Sequence, residues 1–251
     1  MDKKIKKPII EVRDLVAKYG ERTILDGVSV DIYPEEVTVI LGGSGCGKTT
    51  LLKNILRLHE PFSGSVKMFG QELVGLEEEK FDKLLQNVGM LFQNGALLNS
   101  ISVYDNVSVP LEQHTNLPYE IIDKIIKVKL DLVNLSHAVY LAPSELSGGM
   151  KKRAALARAI ALDPKILFCD EPSAGLDPLT SEDLDALLLK LKNQLKMSIV
   201  IVTHELASIH RIADKIIFLD EGKMLFNGTL EEAKNSGIKE IEDFFEAGKF
   251  S

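Results

Sequence analysis

Gly42-Gly43-Ser44-Gly45-Cys46-Gly47-Lys48-Thr49, preceded by the apolar run Val37-Thr38-Val39-Ile40-Leu41 and followed by Thr50-Leu51-Leu52-Lys53-Asn54-Ile55, is the stretch on which the fold turns. It satisfies GxxxxGK[ST] in the context that pattern requires: a short buried strand, a glycine-rich turn, then a helix. Glycines let the backbone wrap a phosphate chain with its N–H groups inward, and the helix N-terminus adds a favourable partial charge. Lys48 is expected to contact the β- and γ-phosphates and the Thr49 hydroxyl to ligate Mg²⁺, with Thr50 completing the nucleotide-binding run. A glycine-rich turn that binds nothing is the alternative, and it does not require the strand, lysine, threonine and helix found here together.

On the N-terminal side, residues 9–33 alternate short β-branched runs with glycine and charged breaks, which reads as an antiparallel strand region. Residues 66–92 read as more strand and loop. Between about Gly95 and Ala161 the periodicity becomes helical, as in YEIIDKIIKVKLDLVNL, and strand patterns then return as KILFCDEP, MSIVIVTHE and DKIIFLDEGKM. The expected fold is α/β, a P-loop NTPase (RecA-like) core with a mostly parallel sheet, an N-terminal antiparallel β region and an inserted helical subdomain. One nucleotide-binding domain is expected over 1–251: core at about 9–94 and 162–228, helical subdomain at about 95–161, and a C-terminal tail at 229–251. No second GxxxxGK occurs, so one chain carries one nucleotide module.

The composition agrees. The 251 residues are 45% hydrophobic, enough for one large α/β domain. No stretch reaches the roughly 18 uninterrupted apolar residues that span a bilayer, and MDKKIKKPII lacks a following apolar signal core. The chain is therefore expected to be neither secreted nor membrane-spanning. A net charge of −7 gives no global attraction to nucleic acid, although Lys3, Lys4, Lys6 and Lys7 form a basic tip, read as a solvated tail or a lipid-headgroup contact. Cys46 and Cys169 match no metal-ligand spacing and suggest free thiols in a reducing compartment.

Three further segments carry chemistry. In Ile166-Leu167-Phe168-Cys169-Asp170-Glu171 an apolar strand ends in two carboxylates, whose side chains take opposite faces unless the backbone is already turning. Asp170 is expected to orient the Mg²⁺ shell and Glu171 to accept a proton from the attacking water as general base; taken alone, such a pair also reads as a helix cap or solvated strand end. His204 follows the strand SIVIVT, at a carboxyl end where ligands bind in open α/β sheets, and reads either as structural or as a donor to the γ-phosphate that helps fix the water and Glu171. Leu146-Ser147-Gly148-Gly149-Met150 opens a helix that Ser147 is placed to cap, a second helix end suited to an anion.

LSGGM, with Ser147 24 residues ahead of Glu171, is similar to the signature motif of the ABC ATPases. The resemblance covers about Ile9 to Gly228, with the motifs in the family's order. It implies that Tyr19 stacks on adenine, that Gln93 joins the core to the helical lobe and senses Mg²⁺ and the membrane subunit, and that Asp177, in SAGLD, lies on the loop between two nucleotide domains. Ser147, Gly148 and Gly149 then serve the nucleotide of a partner chain, each ATP lying between the phosphate loop of one domain and the signature of the other. A single module per chain implies a homodimer that ATP closes and hydrolysis releases.

DNA-maintenance members carry a long coiled-coil insertion and translation-linked members two cassettes per chain, and neither feature is present. Within the transporters, MLFQNGALLNSISVYDNVSVPL and SGGMKKRAALARAIA resemble the ATPases of bacterial Mla-type and Mce-associated lipid transporters, with Met150 where sugar and amino-acid importers have glutamine. This implies ATP and Mg²⁺ as cofactors, a permease dimer, a periplasmic lipid-binding subunit and a small cytoplasmic regulatory subunit as partners, no nucleic acid, and a cytoplasmic place on the inner face of the bacterial cell membrane. An amino-acid or other small-solute importer, and a non-transport ATP switch, remain as alternatives. Ile238, Ile241, Phe244 and Phe245 in the tail predict a short helix that covers its own core or reaches a neighbouring subunit. Cys46 places a thiol beside the nucleotide and a positive helix end, so alkylation is expected to inhibit and MgATP to protect.

Overall fold

The computed structural model describes residues 6–247. In chain order the elements are β1 (Ile10–Tyr19), β2 (Arg22–Ile32), β3 (Val37–Leu41), α1 (Lys48–Ile55), β4 (Ser63–Met68), β5 (Gln71–Glu72), α2 (Glu78–Leu85), β6 (Val88–Leu91), α3 (Val103–His114), α4 (Tyr119–Leu132), α5 (Gly148–Ala159), β7 (Ile166–Asp170), α6 (Pro178–Leu195), β8 (Ser198–Val202), α7 (Leu206–Ile212), β9 (Lys215–Asp220), β10 (Lys223–Thr229), α8 (Leu230–Lys234) and α9 (Lys239–Ala247). The chain divides into two units, one of residues 1–81 and 200–251, the other of residues 82–199.

In the first unit, β1 pairs antiparallel with β2 and with β4, giving a sheet ordered β2-β1-β4-β5. Its register starts at Ile10↔Ile32 and shifts after Val12, where Asp14 takes a positive φ of 47° and its N–H donates to Ser29 Oγ at 2.8 Å, the mark of a bulge. This is the antiparallel region that the alternation predicts. In the same unit β9 runs parallel to β3 and antiparallel to β10. All five residues of β3, VTVIL, are buried, as they must be in a strand covered on both faces. Each of its large apolar side chains contributes about 1.5–3 kcal/mol relative to exposure.

The tail helix α9 covers the core of its own unit: Ile241 is buried, Phe244 meets Phe218 of β9 edge-on at 5.6 Å, and Phe245 stacks on His210 of α7 at 5.8 Å. Of the basic tip, Lys3 and Lys4 lie outside the described residues, while Lys6 pairs with Glu36 at 3.6 Å and donates to Pro34 O.

In the second unit, β6 runs parallel to β7 from Val88↔Ile166 to Leu91↔Cys169. A Cβ on Gly89 would meet Ala159 O at 2.5 Å, so this strand approaches the end of α5 as only glycine permits. Helices α3, α4 and α5 pack together, as the 3.6-residue periodicity predicts. Asn106, fully buried in α3, accepts from Leu98 N and donates to Leu98 O and Ser102 O, fastening the segment that leads into the helix. The reading of residues 66–92 as strand and loop omitted α2, an eight-residue, strongly acidic and basic helix too short for periodicity to declare. Among the described residues no helix is long and apolar enough to cross a membrane.

Candidate functional site

The first unit holds the phosphate-loop half. Gly42, Gly45 and Gly47 have φ of 142°, 78° and 109°, and Gly47 is the N-cap of α1, which has no side-chain cap and no acidic residue in its first turn. The free N–H groups of that turn are left for an anion. The Lys48 ammonium folds onto the loop, donating to Gly42 O and Gly43 O, each at 2.8 Å, and lies 3.8 Å from Cys46 Sγ. Thr49 is exposed at the start of α1, while Thr50 is buried beneath it. Two recesses of about 270 and 430 Å³ flank the loop, the first bordered by Gly45, Gly47, Lys48, Thr49 and Thr50, the second by Gly43, Ser44, Gly45, Cys46 and the turn Asp220–Gly222. A glycine cradle, a lysine and an open helix end fit a polyphosphate.

Both recesses also take Arg22 and Ile24 from the start of β2, residues that sequence reasoning missed. They share one face by strand alternation, and the signal was the turn Gly20-Glu21 that reverses the chain just before them. The Asp220–Gly222 turn was missed as well: Gly222 N donates to Cys46 O at 3.2 Å and Gly222 O accepts from Asp26 N at 2.9 Å, bracing the loop from the side. Tyr19, at the end of β1, is half exposed with its ring centroid 4.6 Å from that of His59, a flat apolar surface open on one side. His204 is exposed just after β8.

The second unit holds the remaining residues. Glu171 follows β7 with a φ of 45°, so the backbone is already turning there and the simple alternation of Asp170 and Glu171 does not apply. A left-handed, non-glycine residue costs about 1–2 kcal/mol and needs neighbours to hold it. Its carbonyl accepts from Ala174 N at 3.2 Å and from Lys152 Nζ at 3.3 Å. Lys152, on α5, is buried and also donates to Gln93 O. Burial pulls its ammonium below the ordinary lysine range, against the opposing influence of Cys169, Glu171 and Asp170. Burial likewise pushes the Cys169 thiol up.

Gln93 itself is exposed, and the loop after it is tied to α5 a second time, by Arg158 donating to Gly95 O at 2.9 Å and Ala96 O at 2.8 Å. Ser147 caps α5 by accepting from Met150 N at 3.3 Å, and with no acidic residue in the first turn this helix start also suits an anion. Gly149 leaves no room for a Cβ, which would lie 2.7 Å from Thr180 Cγ2. Asp177 caps α6, accepting from Leu179 N and Thr180 N at 3.1 Å, and its bonds, that from the Thr180 hydroxyl first, hold the carboxyl below the usual carboxylate range. The structure thus groups Gly42–Thr50 in one unit, and gathers Gln93 and Glu171 around Lys152 in the other. Lys152 went unnoticed in the sequence because it lies in a basic, amphipathic stretch.

Residues 25–174 match the family model described as ABC transporter. Over 236 residues the chain is 39% identical to the intermembrane phospholipid transport system ATP-binding protein MlaF of Haemophilus influenzae, covering 94% of this chain and 89% of that protein. It is 40% identical over 210 residues to the methionine import ATP-binding protein MetN of the same species, covering 84% of this chain and 61% of that protein. The solved dimeric, post-hydrolysis ATP-binding cassette MJ0796, bound to ADP and Pi, superposes with a TM-score of 0.79 at 29% identity, covering 88% of this chain and 98% of that one. The chain belongs to the ABC transporter family as one of its ATPase subunits.

Proposed function

We propose that this chain powers the movement of phospholipid across a bacterial envelope, as a homodimer on the cytoplasmic face of the cell membrane. The observation that carries the substrate class is the near end-to-end match with the phospholipid-transport ATPase, which spans 89% of that protein, against 61% for the methionine importer. Met150 and the Gly95-Ala96-Leu97-Leu98 stretch support the same reading. The small-solute importer stands as the second reading, on the 40% identity to MetN. Partners of the phospholipid reading are a permease dimer, a periplasmic lipid-binding subunit and a small cytoplasmic regulatory subunit. A groove of about 380 Å³ in the second unit, with Leu85, Met90, Phe92, Val109 and Pro110 on its walls, supports docking of the permease there.

In this reading Tyr19 stacks on adenine, the N–H groups of Gly42–Thr49 and the Lys48 ammonium hold the phosphates, and the α5 start, Ser147–Gly149, completes the partner chain's nucleotide site, with Asp177 on the loop between the two chains. Thr49, Asp170 and Gln93 would hold Mg²⁺, which would neutralise phosphate charge. Glu171 takes the proton of the attacking water, and His204 donates to the γ-phosphate. The helical subdomain of about 95–161 carries the signature and the permease contact.

Purification of Glu171→Gln from its native membrane tests the reading. Co-purification of a multi-spanning permease with a lipid-binding partner and bound phospholipid supports it; a small-solute permease overturns the substrate and keeps the transporter. Recovery without any membrane protein removes the transport role.

Alkylation of Cys46 is expected to be slow, because the residue is only 5% exposed, and to abolish ATP binding by filling the loop beside Lys48. MgATP is expected to protect it. Mass spectrometry locates the adduct, and full ATPase activity with Cys46 modified sinks the expectation.

A further inference from the structure

Lys151 and Lys152 are neighbours on α5 with opposite fates: Lys151 is exposed, whereas Lys152 is 6% exposed and counts with Ala154, Ala155, Leu156 and Ala157 as a buried residue of the helix. A lysine is buried at a desolvation cost unless its donors are used. Lys152 uses them on two backbone carbonyls far apart in sequence, Gln93 O and Glu171 O, the latter at 3.3 Å. An ammonium has three donors and no acceptor, so both bonds form at once. Arg158 fastens the same loop further along, at Gly95 O and Ala96 O, and also reaches Asn106 Oδ1. The bonds of Lys152 continue instead to the left-handed turn at Glu171.

We infer that Lys152 is a positioning residue for hydrolysis, joining the Gln93 loop to the Glu171 turn so that loop and carboxylate are set in place together. The inference rests on the reading of Glu171 as general base. Because the bonds run to backbone carbonyls, the link survives any change of the Gln93 or Glu171 side chains. It also starts from the helix that Ser147 caps, so the signature end, the glutamine loop and the catalytic turn of one chain share a single anchor.

Steady-state ATPase measurements on the full chain test this with Lys152→Met, which removes the donors, and Lys152→Gln, whose amide N–H₂ keeps two of them without the charge. For Lys152→Met kcat is expected to fall about tenfold or more, the scale on which a displaced catalytic group loses rate. KM for ATP should change far less than kcat, since the phosphate loop and Lys48 are not among the bonded partners of Lys152. Lys152→Gln is expected to recover kcat to within about threefold of the parent. A Lys152→Met enzyme with undiminished kcat overturns the inference, as does a Lys152→Gln enzyme no better than Lys152→Met. If Lys152→Met does not fold, Lys152→Gln decides alone: kcat below about a tenth of the parent overturns the inference. Glu171→Gln, run beside them, separates the two failures, since wild-type turnover there removes the base itself whatever Lys152 does.

Discussion

Glu171→Gln is expected to lower kcat by about 10²–10⁴-fold, the range supplied by a positioned general base, while ATP still binds. The substitution is nearly isosteric and removes only the capacity to take a proton. The turn that carries it keeps the bonds that Lys152 and Ala174 donate to the backbone carbonyl at position 171. KM for ATP should therefore change little, and the variant should accumulate in its nucleotide-bound form. Single-turnover hydrolysis of radiolabelled ATP, set against equilibrium binding of the same nucleotide, separates the two quantities. Turnover near that of the parent removes Glu171 from the role of base and leaves Asp170 or His204 to be tested in its place.

Gly42→Ala is expected to be the most damaging substitution in the phosphate loop for the fold as well as for binding. Gly42 has φ 142°, and an added Cβ would lie 2.0 Å from Leu219 O and 2.6 Å from Cys46 Sγ. The first obstacle is the backbone of β9, which pairs with β3 and cannot move without disturbing that pairing. A loss of about 2–4 kcal/mol is expected, from backbone strain and overpacking together. For a chain of this size that corresponds to a fall in Tm of roughly 4–16 °C. Gly43→Ala is the internal control: Gly43 has no positive φ, and nothing lies within 4 Å of its built Cβ, so its melting temperature should match the parent. Thermal denaturation followed by circular dichroism gives both values. Equal melting of the two variants contradicts the packing of the loop against Leu219.

The course of the fold was legible where a single residue type answers a single physical demand. GGSGCGKT between an apolar run and a helix declares a strand, a wrapped loop and an open helix end, and α1 begins at Lys48 with Gly47 as its cap. VTVIL and SIVIV, apolar without alternation, declare buried parallel strands, and both are buried throughout. Ser147 before two glycines declares a capped helix. What stayed hidden depends on contacts between residues distant in sequence. Lys152 follows Lys151 and precedes Arg153, so in the sequence it looks like one more solvated charge, and only the carbonyls brought to it by β7 and the Gln93 loop give it a task. Arg22 and Ile24 read as ordinary strand residues until β2 is seen to run beside the phosphate loop. The left-handed turn at Glu171 is hidden for a related reason, since glutamate does not announce a positive φ as glycine does.

The fold of the Lys48 side chain onto Gly42 O and Gly43 O bears on how tightly nucleotide is held. Its ammonium is already solvated by the loop, and the loop's carbonyls already have a partner. An incoming phosphate thus exchanges one set of charge-assisted bonds for another, and its affinity is the difference between them rather than their sum. The same exchange run backward gives the departing nucleotide an easy exit: the lysine returns to the two carbonyls, and no cation is stranded. A cycling motor is served better by such a replaceable grip than by the tightest one, because each stroke ends with an empty hand.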